Sequence, residues 1–196
     1  MWYEYRNNSN MKDRLLFIDT ETGGLNPDKH ALLSLGMVVW EDMELIDSQE
    51  ILINDGQLSV TEEALAINKI DLAEHKKSAM PSYQAANEIF TFIRKHFPHQ
   101  GKITLAGHNV HFDINFLSVF LSRNNKTFSN YFSHRIIDTS SILYYLYLSG
   151  HIKQRAISSD EAFALFNIKV EGRHTALGDA LATAKLFNKL IDLITK

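Results

Sequence analysis

Apolar residues fall in three short runs before any helical spacing begins, and that order is the first guide to the architecture. Residues 15–19, 32–40 and 45–53 each read as a buried strand, the last two joined by a short acidic turn around Glu41 and Asp42. Strands so closely joined predict an antiparallel meander. Helical spacing follows. Thr61, Glu63 and Ala64 open a short helical stretch, and residues 82–97 carry Ala86, Ile89, Phe90 and Ile93 at the spacing of one helix face. Residues 103–106 predict another short strand. The run after Asp113 (Ile114, Phe116, Leu117, Val119, Phe120, Leu121) is apolar nearly all round, as in a buried helix. Residues 135–138 predict the last strand and residues 139–148 and 159–166 two helices. A final helix over about residues 176–194 carries a stripe of Ala180, Ala184, Phe187, Ile191 and Ile194. A meander followed by alternating helices and strands predicts an α/β domain with a mixed sheet. Residues 1–13 are polar and aromatic without periodicity and read as an N-terminal tail, leaving residues 14–196 as a single domain without repeat or linker.

Composition narrows the classes without choosing among them. At 196 residues with 45% apolar and 22% charged side chains, the chain has the make-up of one soluble globular domain. Its net charge of −3 supplies no global basic field, so any phosphate binding rests on local Lys/Arg groups or on bound metal. The absence of cysteine removes disulfides, Cys-ligated zinc and thiol catalysis together. No signal-like segment or 18-residue apolar run is present, so the expectation is a cytoplasmic protein without a membrane partner.

Acidic side chains beside apolar segments change the picture. Strand alternation points Asp19 and Glu21 of FIDTETGGL to one side, with Ile18 and Thr20 on the other. Two carboxylates so placed repel each other unless a cation joins them, and their oxygens suit Mg²⁺ or Mn²⁺. The Gly23–Gly24 pair behind them permits a tight turn and close backbone approach to a ligand. Asp113 of AGHNVHFDINFL falls in a first helical turn, where it is either a ligand or a cap. His108 and His111 nearby lack the further imidazole or glutamate of a zinc hydrolase, and His108 and Asn109 read instead as polar residues at a strand end. His174 and Asp179 in RHTALGDALATA stand five residues apart, about 140° on a helix, so they cannot share a face. A cap at Thr175 would leave His174 on the loop and Asp179 in the first turns, letting both approach one centre. Histidine can then accept a proton from water.

Together DTETGGL, GHNVHFD and HTALGDALATA resemble the three motifs of the DEDDh group of DnaQ-like 3′–5′ exonucleases, over about residues 14–194. Within that family the general likeness is to the proofreading epsilon subunit of bacterial DNA polymerase III. The resemblance implies a ribonuclease H-like fold, with a five-stranded mixed sheet flanked by helices. It implies hydrolysis from a nucleic-acid 3′ end, DNA being the expected substrate, with release of nucleoside 5′-monophosphates. Two divalent cations, Mg²⁺ or Mn²⁺, are the implied cofactors. Asp19 would bridge both, Glu21 and Asp179 would hold the nucleophile-side ion, and Asp113 would support the second. His174 would deprotonate the attacking water. Thr22, Gly23, Gly24 and Leu25 would contact the terminal nucleotide, with Asn109 near the scissile phosphate, while Asp138 would cap the next helix. A DNA polymerase or repair complex is a possible partner.

Other readings are open at this point. An RNA-processing exoribonuclease uses the same motifs, a non-catalytic binding module would lack one ligand, and an aspartyl phosphatase would need a second Asp where Glu21 stands. Lys153, Arg155, Lys169 and Arg173 precede the third motif either as a steering patch or as a solvated face. Tyr144, Tyr145 and Tyr147 are expected to pack rather than to stack on bases.

Overall fold

The computed structural model describes residues 13–56, 58–98 and 101–195. Strands β1 (Arg14–Thr22), β2 (Leu32–Glu41) and β3 (Glu44–Asn54) form the expected antiparallel meander. Asp42 and Met43 turn between the last two with φ of 52° and 72°, both left-handed, which matches the twist of a tight hairpin. Two short helices follow, α1 (Glu62–Asn68) and α2 (Leu72–Ser78), and then the two-residue strand β4 (Met80–Pro81). Helix α3 (Ser82–His96), strand β5 (Ile103–Gly107), helix α4 (His111–Arg123) and strand β6 (Phe132–Asp138) continue the chain. Helices α5 (Thr139–Leu148), α6 (Ser159–Leu165) and α7 (Ala176–Thr195) complete it.

The sheet order is β4-β3-β2-β1-β5-β6, with β5 parallel to β1 and to β6. Six strands therefore replace the expected five. The addition, β4, pairs only through Met80 and Pro81 with Ile53 and Asn54, too short to leave a hydrophobic pattern. Helix α2 is a further addition, because LAEHKKS buries only His75 and is started by Asp71, whose carboxylate accepts from the Ala73 and Glu74 amides. β1 runs three residues past the expected end at residue 19, and β6 starts at Phe132 rather than 135 because its Ser133, His134 and Arg135 are polar. The expected tail, Asp13 apart, lies outside the described residues. No helix among the described residues is long and apolar enough to cross a membrane.

Alternation along β1 divides the interior. Leu16 and Ile18 join one cluster with Ile89 and Phe90 of α3 and Phe116 and Phe120 of α4. Phe17 faces the other way, with Val38, Trp40 and Ala180 and Ala184 of α7. Phe187 of α7 packs its ring 5.5 Å from Phe17 and 5.4 Å from Trp40, and Trp40 donates to Asn188 Oδ1 at 2.6 Å. A third cluster joins Leu143 and Leu146 of α5 and Phe163 of α6 to Leu186 and Leu190 of α7. α7 is thus held from two directions over the end of β1.

Candidate active site

Asp19 and Glu21 extend the α7-facing row that begins with Phe17, so the strand that buries an aromatic ring ends in two carboxylates on the same face. Asp179 reaches them from the first turn of α7. One carboxylate oxygen from each of Asp19, Glu21 and Asp179 lies within 4.8 Å of the others. The approach depends on Gly36, which pairs with Asp19 across β1 and β2. A Cβ at residue 36 would lie 2.2 Å from the Ala176 carbonyl oxygen, so only glycine lets the start of α7 settle on the sheet. Gly178 performs the same service at the start of the helix itself, where a Cβ would meet the Gly172 carbonyl oxygen at 2.2 Å. The loop carrying Arg173 and His174 is thereby pressed against α7.

Thr175 starts that helix as expected, its hydroxyl accepting from the Gly178 amide at 3.1 Å and donating to the Gly172 carbonyl at 2.8 Å. His174 stays on the loop, half-buried, with a left-handed φ of 66°. Asp113 lies in the first turn of α4 but does not cap it. No side chain caps this helix, and the Asp113 carboxylate accepts from the Thr20 hydroxyl at 2.6 Å. Thr20 points away from Asp19 and Glu21, yet the Asp113 carboxylate it holds is the strongest like charge on Asp19, so Asp113 is tied to the strand end close to that carboxylate.

The carboxylates are held far from their ordinary acidity. Burial, with Asp113, Asp179 and Glu21 adding like charge, pushes Asp19 well above the carboxylate range, opposed by Arg173. Burial and then Asp179 push Glu21 up to about 8. Burial pushes Asp113 up to about 7 against the hydrogen bonds from Thr20. Asp179 is also raised by burial, against the pull of Arg173 and His174. Such a set gains from a bound cation. Asp179 Oδ1 is buried without a hydrogen-bond partner, a cost that a metal ion at this point would remove. With only hard oxygen donors converging, the residues fit Mg²⁺ or Mn²⁺. His108 is tied instead to the Thr139 hydroxyl at 3.0 Å, and no His-containing metal cluster forms among the described residues.

The RNase_T family model, described as exonuclease, matches residues 16–187. The chain belongs to this exonuclease family. Ribonuclease T of Wigglesworthia glossinidia brevipalpis is 27% identical over 189 residues, covering 89% of this chain and 83% of that protein. A probable oligoribonuclease of Schizosaccharomyces pombe is 28% identical over 144 residues, 68% of this chain and 54% of the other. E. coli exonuclease I, solved with a dT13 oligonucleotide, superposes with a TM-score of 0.76 at 16% identity. That match covers 90% of this chain and 40% of exonuclease I, and shows the ribonuclease H-like fold. These relatives do not support the narrower likeness to a polymerase proofreading subunit.

Within this 3′–5′ exonuclease family, the first motif turns sharply after its carboxylates. Thr22 donates to the Gly24 carbonyl at 2.8 Å, the Gly23 amide to the Ala31 carbonyl at 2.8 Å, and the Thr61 amide to the Gly23 carbonyl at 2.8 Å. Thr22, Gly23 and Gly24 are consequently buried in the turn, whereas Leu25 projects with 83% of its surface exposed. Asn109 is exposed with φ 56°, its amide donating to Asp138 Oδ1 at 2.9 Å. The same oxygen accepts from the Ser140 amide at 2.9 Å, so Asp138 caps α5 as expected.

Two expectations change. Tyr144, Tyr145 and Tyr147 are 45%, 66% and 38% exposed rather than packed, because α5 buries only Thr139, Leu143 and Leu146. Arg155 lies over the Tyr144 ring, 4.7 Å from its centroid. Arg173 is neither a steering patch nor a solvated residue: it pairs directly with Asp179. Its place beside His174 was the available signal, but sequence spacing does not reveal an inward-turned guanidinium.

Proposed function

We propose that this chain hydrolyses the terminal phosphodiester of a nucleic-acid 3′ end, releasing nucleoside 5′-monophosphates, and that RNA is its main substrate. The convergence of Asp19, Glu21 and Asp179 within 4.8 Å, with His174 on the loop before α7, carries the chemistry. RNA replaces the DNA expected from the motifs because the relatives spanning most of the chain are named ribonuclease T. Single-stranded DNA is the second reading, favoured by the likeness to an exonuclease I bound to dT13. Neither the ribonuclease T relatives nor exonuclease I points to a polymerase partner. A cytoplasmic location belongs to the same proposal.

Asp19, Glu21 and Asp179 would hold one divalent cation, and Asp19 with Asp113 the second. Bound there, the cations would neutralise the phosphodiester and acidify water. Asp113 is kept in place by Thr20, so that its orientation does not depend on the substrate. His174, on the loop outside α7, would take the proton of the attacking water. The exposed Leu25 would pack against the terminal base, held outward by the buried turn of Thr22, Gly23 and Gly24. The Asn109 side chain would lie near the scissile phosphate.

A side-by-side assay tests this. With Mn²⁺ or Mg²⁺, 5′-labelled single-stranded RNA should shorten stepwise from its 3′ end, faster than the matched DNA or either duplex. Asp19→Ala should lower the rate on the order of 10³-fold, as expected when a charge-stabilising group is deleted. Faster loss of DNA would transfer the assignment to the second reading, and intact oligonucleotides across metals and pH would end both.

A further inference from the structure

Arg173 engages three groups around its guanidinium. Nη1 pairs with Asp179 Oδ2, Nε donates to Asp160 Oδ1 at 2.8 Å, and Nη2 donates to Ser159 Oγ at 3.1 Å. The guanidinium carbon lies 5.8 Å from the centroid of the Phe163 ring. Ser159, Asp160 and Phe163 all belong to α6, so that helix holds a cation against the carboxylates of β1 and α7. With 26% of its side chain exposed, Arg173 keeps much of its electrostatic reach.

We propose that Arg173 is the resident counter-cation of the carboxylate site and sets its metal affinity by competing, through Asp179, with divalent ions. The inference rests on the metal-site reading given above. A guanidinium keeps its proton at any physiological pH, so its charge cannot leave by deprotonation. It must move away or repel the incoming ion. The bonds to Asp160 and Ser159 allow the first: Nη1 can release Asp179 while Nε and Nη2 keep the side chain on α6. Asp179 Oδ1, buried and unpartnered, is the oxygen through which the ion enters, and Oδ2 is the one it must contest. Arg173 thereby stabilises the metal-free protein and weakens the metal-bound one. The residue contributes no atom to the reaction. It is a positioning and affinity-setting residue, placed one position before the proposed base.

Calorimetric titration with Mn²⁺ alone tests this in the full chain, comparing wild type, Arg173→Gln and Arg173→Lys. Arg173→Gln should bind Mn²⁺ about tenfold more tightly, since one nearby positive charge is removed, and Arg173→Lys should stay near wild type. Without metal, Arg173→Gln should melt below wild type, and saturating Mn²⁺ should close or reverse the gap. If the metal-free glutamine variant does not fold, it is purified with Mn²⁺, and competition against a chelator reads the same affinity from the loaded side. Equal or weaker Mn²⁺ binding by Arg173→Gln overturns the inference while leaving the metal site standing. A wild type that binds no Mn²⁺ removes both.

Discussion

Neighbouring residues of β1 meet buried carboxylates in opposite electrical settings. On one face Asp19 and Glu21 converge with Asp179, and the guanidinium of Arg173 offsets part of their charge. On the other, Thr20 gives a neutral hydroxyl to Asp113, which is 4% exposed. Burial is the main cause of the upward shift at both Glu21 and Asp113, yet Asp113 is opposed first by Thr20 hydrogen bonds and Glu21 by Arg173. Hydrogen bonds from Thr20 oppose the burial of Asp113 even though it adds like charge to Asp19, whereas the converging set is offset by positive charge. The two faces therefore divide the work: one gathers the converging carboxylates, and the other fixes the Asp113 carboxylate through a hydroxyl.

The sharpest way to break this division is to lift α7 alone. Gly36→Ala puts a methyl group against the Ala176 backbone, which has no flexible end to yield. Overpacking of this kind costs about 1–3 kcal/mol, readable by chemical denaturation. Displacing Asp179 should lower the exonuclease rate on the order of 10²-fold, as about 1 Å of misplacement does. Full activity in this variant would show that the face needs no close seat for α7.

Thr20→Val attacks the opposite face and should do less. It leaves a buried carboxylate oxygen without its donor, a loss of about 1–3 kcal/mol, with activity falling about tenfold. Mn²⁺ affinity of the Asp19, Glu21 and Asp179 group should hardly move. A loss of affinity as large as that of an Asp19→Asn variant would erase the distinction between the faces.

The smallest effect is the pH dependence of the chelated protein. Glu21 is raised from 4.5 to about 8, so between those values the folded chain holds a proton that the unfolded chain has released. Stability then falls as pH rises across that window, and Asp113 adds the same sign up to about 7. The melting temperature with chelator should drop by a few degrees from pH 5 to pH 8, and saturating Mn²⁺ should flatten the slope. A level trace with chelator would mean that the carboxylates are not strained toward protonation.

Much of this was legible in the chain, for reasons that differ by residue. The period of two in FIDTET places Asp19 and Glu21 together because a strand allows no other arrangement. Thr175 as a helix start separates His174 from Asp179, and its hydroxyl does accept the Gly178 amide. Both are local consequences of backbone geometry. Gly36, by contrast, carries no signal in LLSLGMVVWE that a helix will seat on it, and the tyrosines of α5 read as packing residues. Their roles depend on which surface arrives opposite them, and residues far away in sequence supply or withhold that surface.

The sequence by itself determined the meander, most of the helices, the family motifs and the pairing of Asp19 with Glu21, because each follows from spacing along a few neighbouring residues. Only the tertiary structure decided that α7 settles onto Gly36, that Thr20 rather than a helix end satisfies Asp113, and that Arg173 turns inward to Asp179. Those outcomes are set by contact between distant surfaces under burial, where one methyl group or one charge changes which arrangement is lowest in free energy.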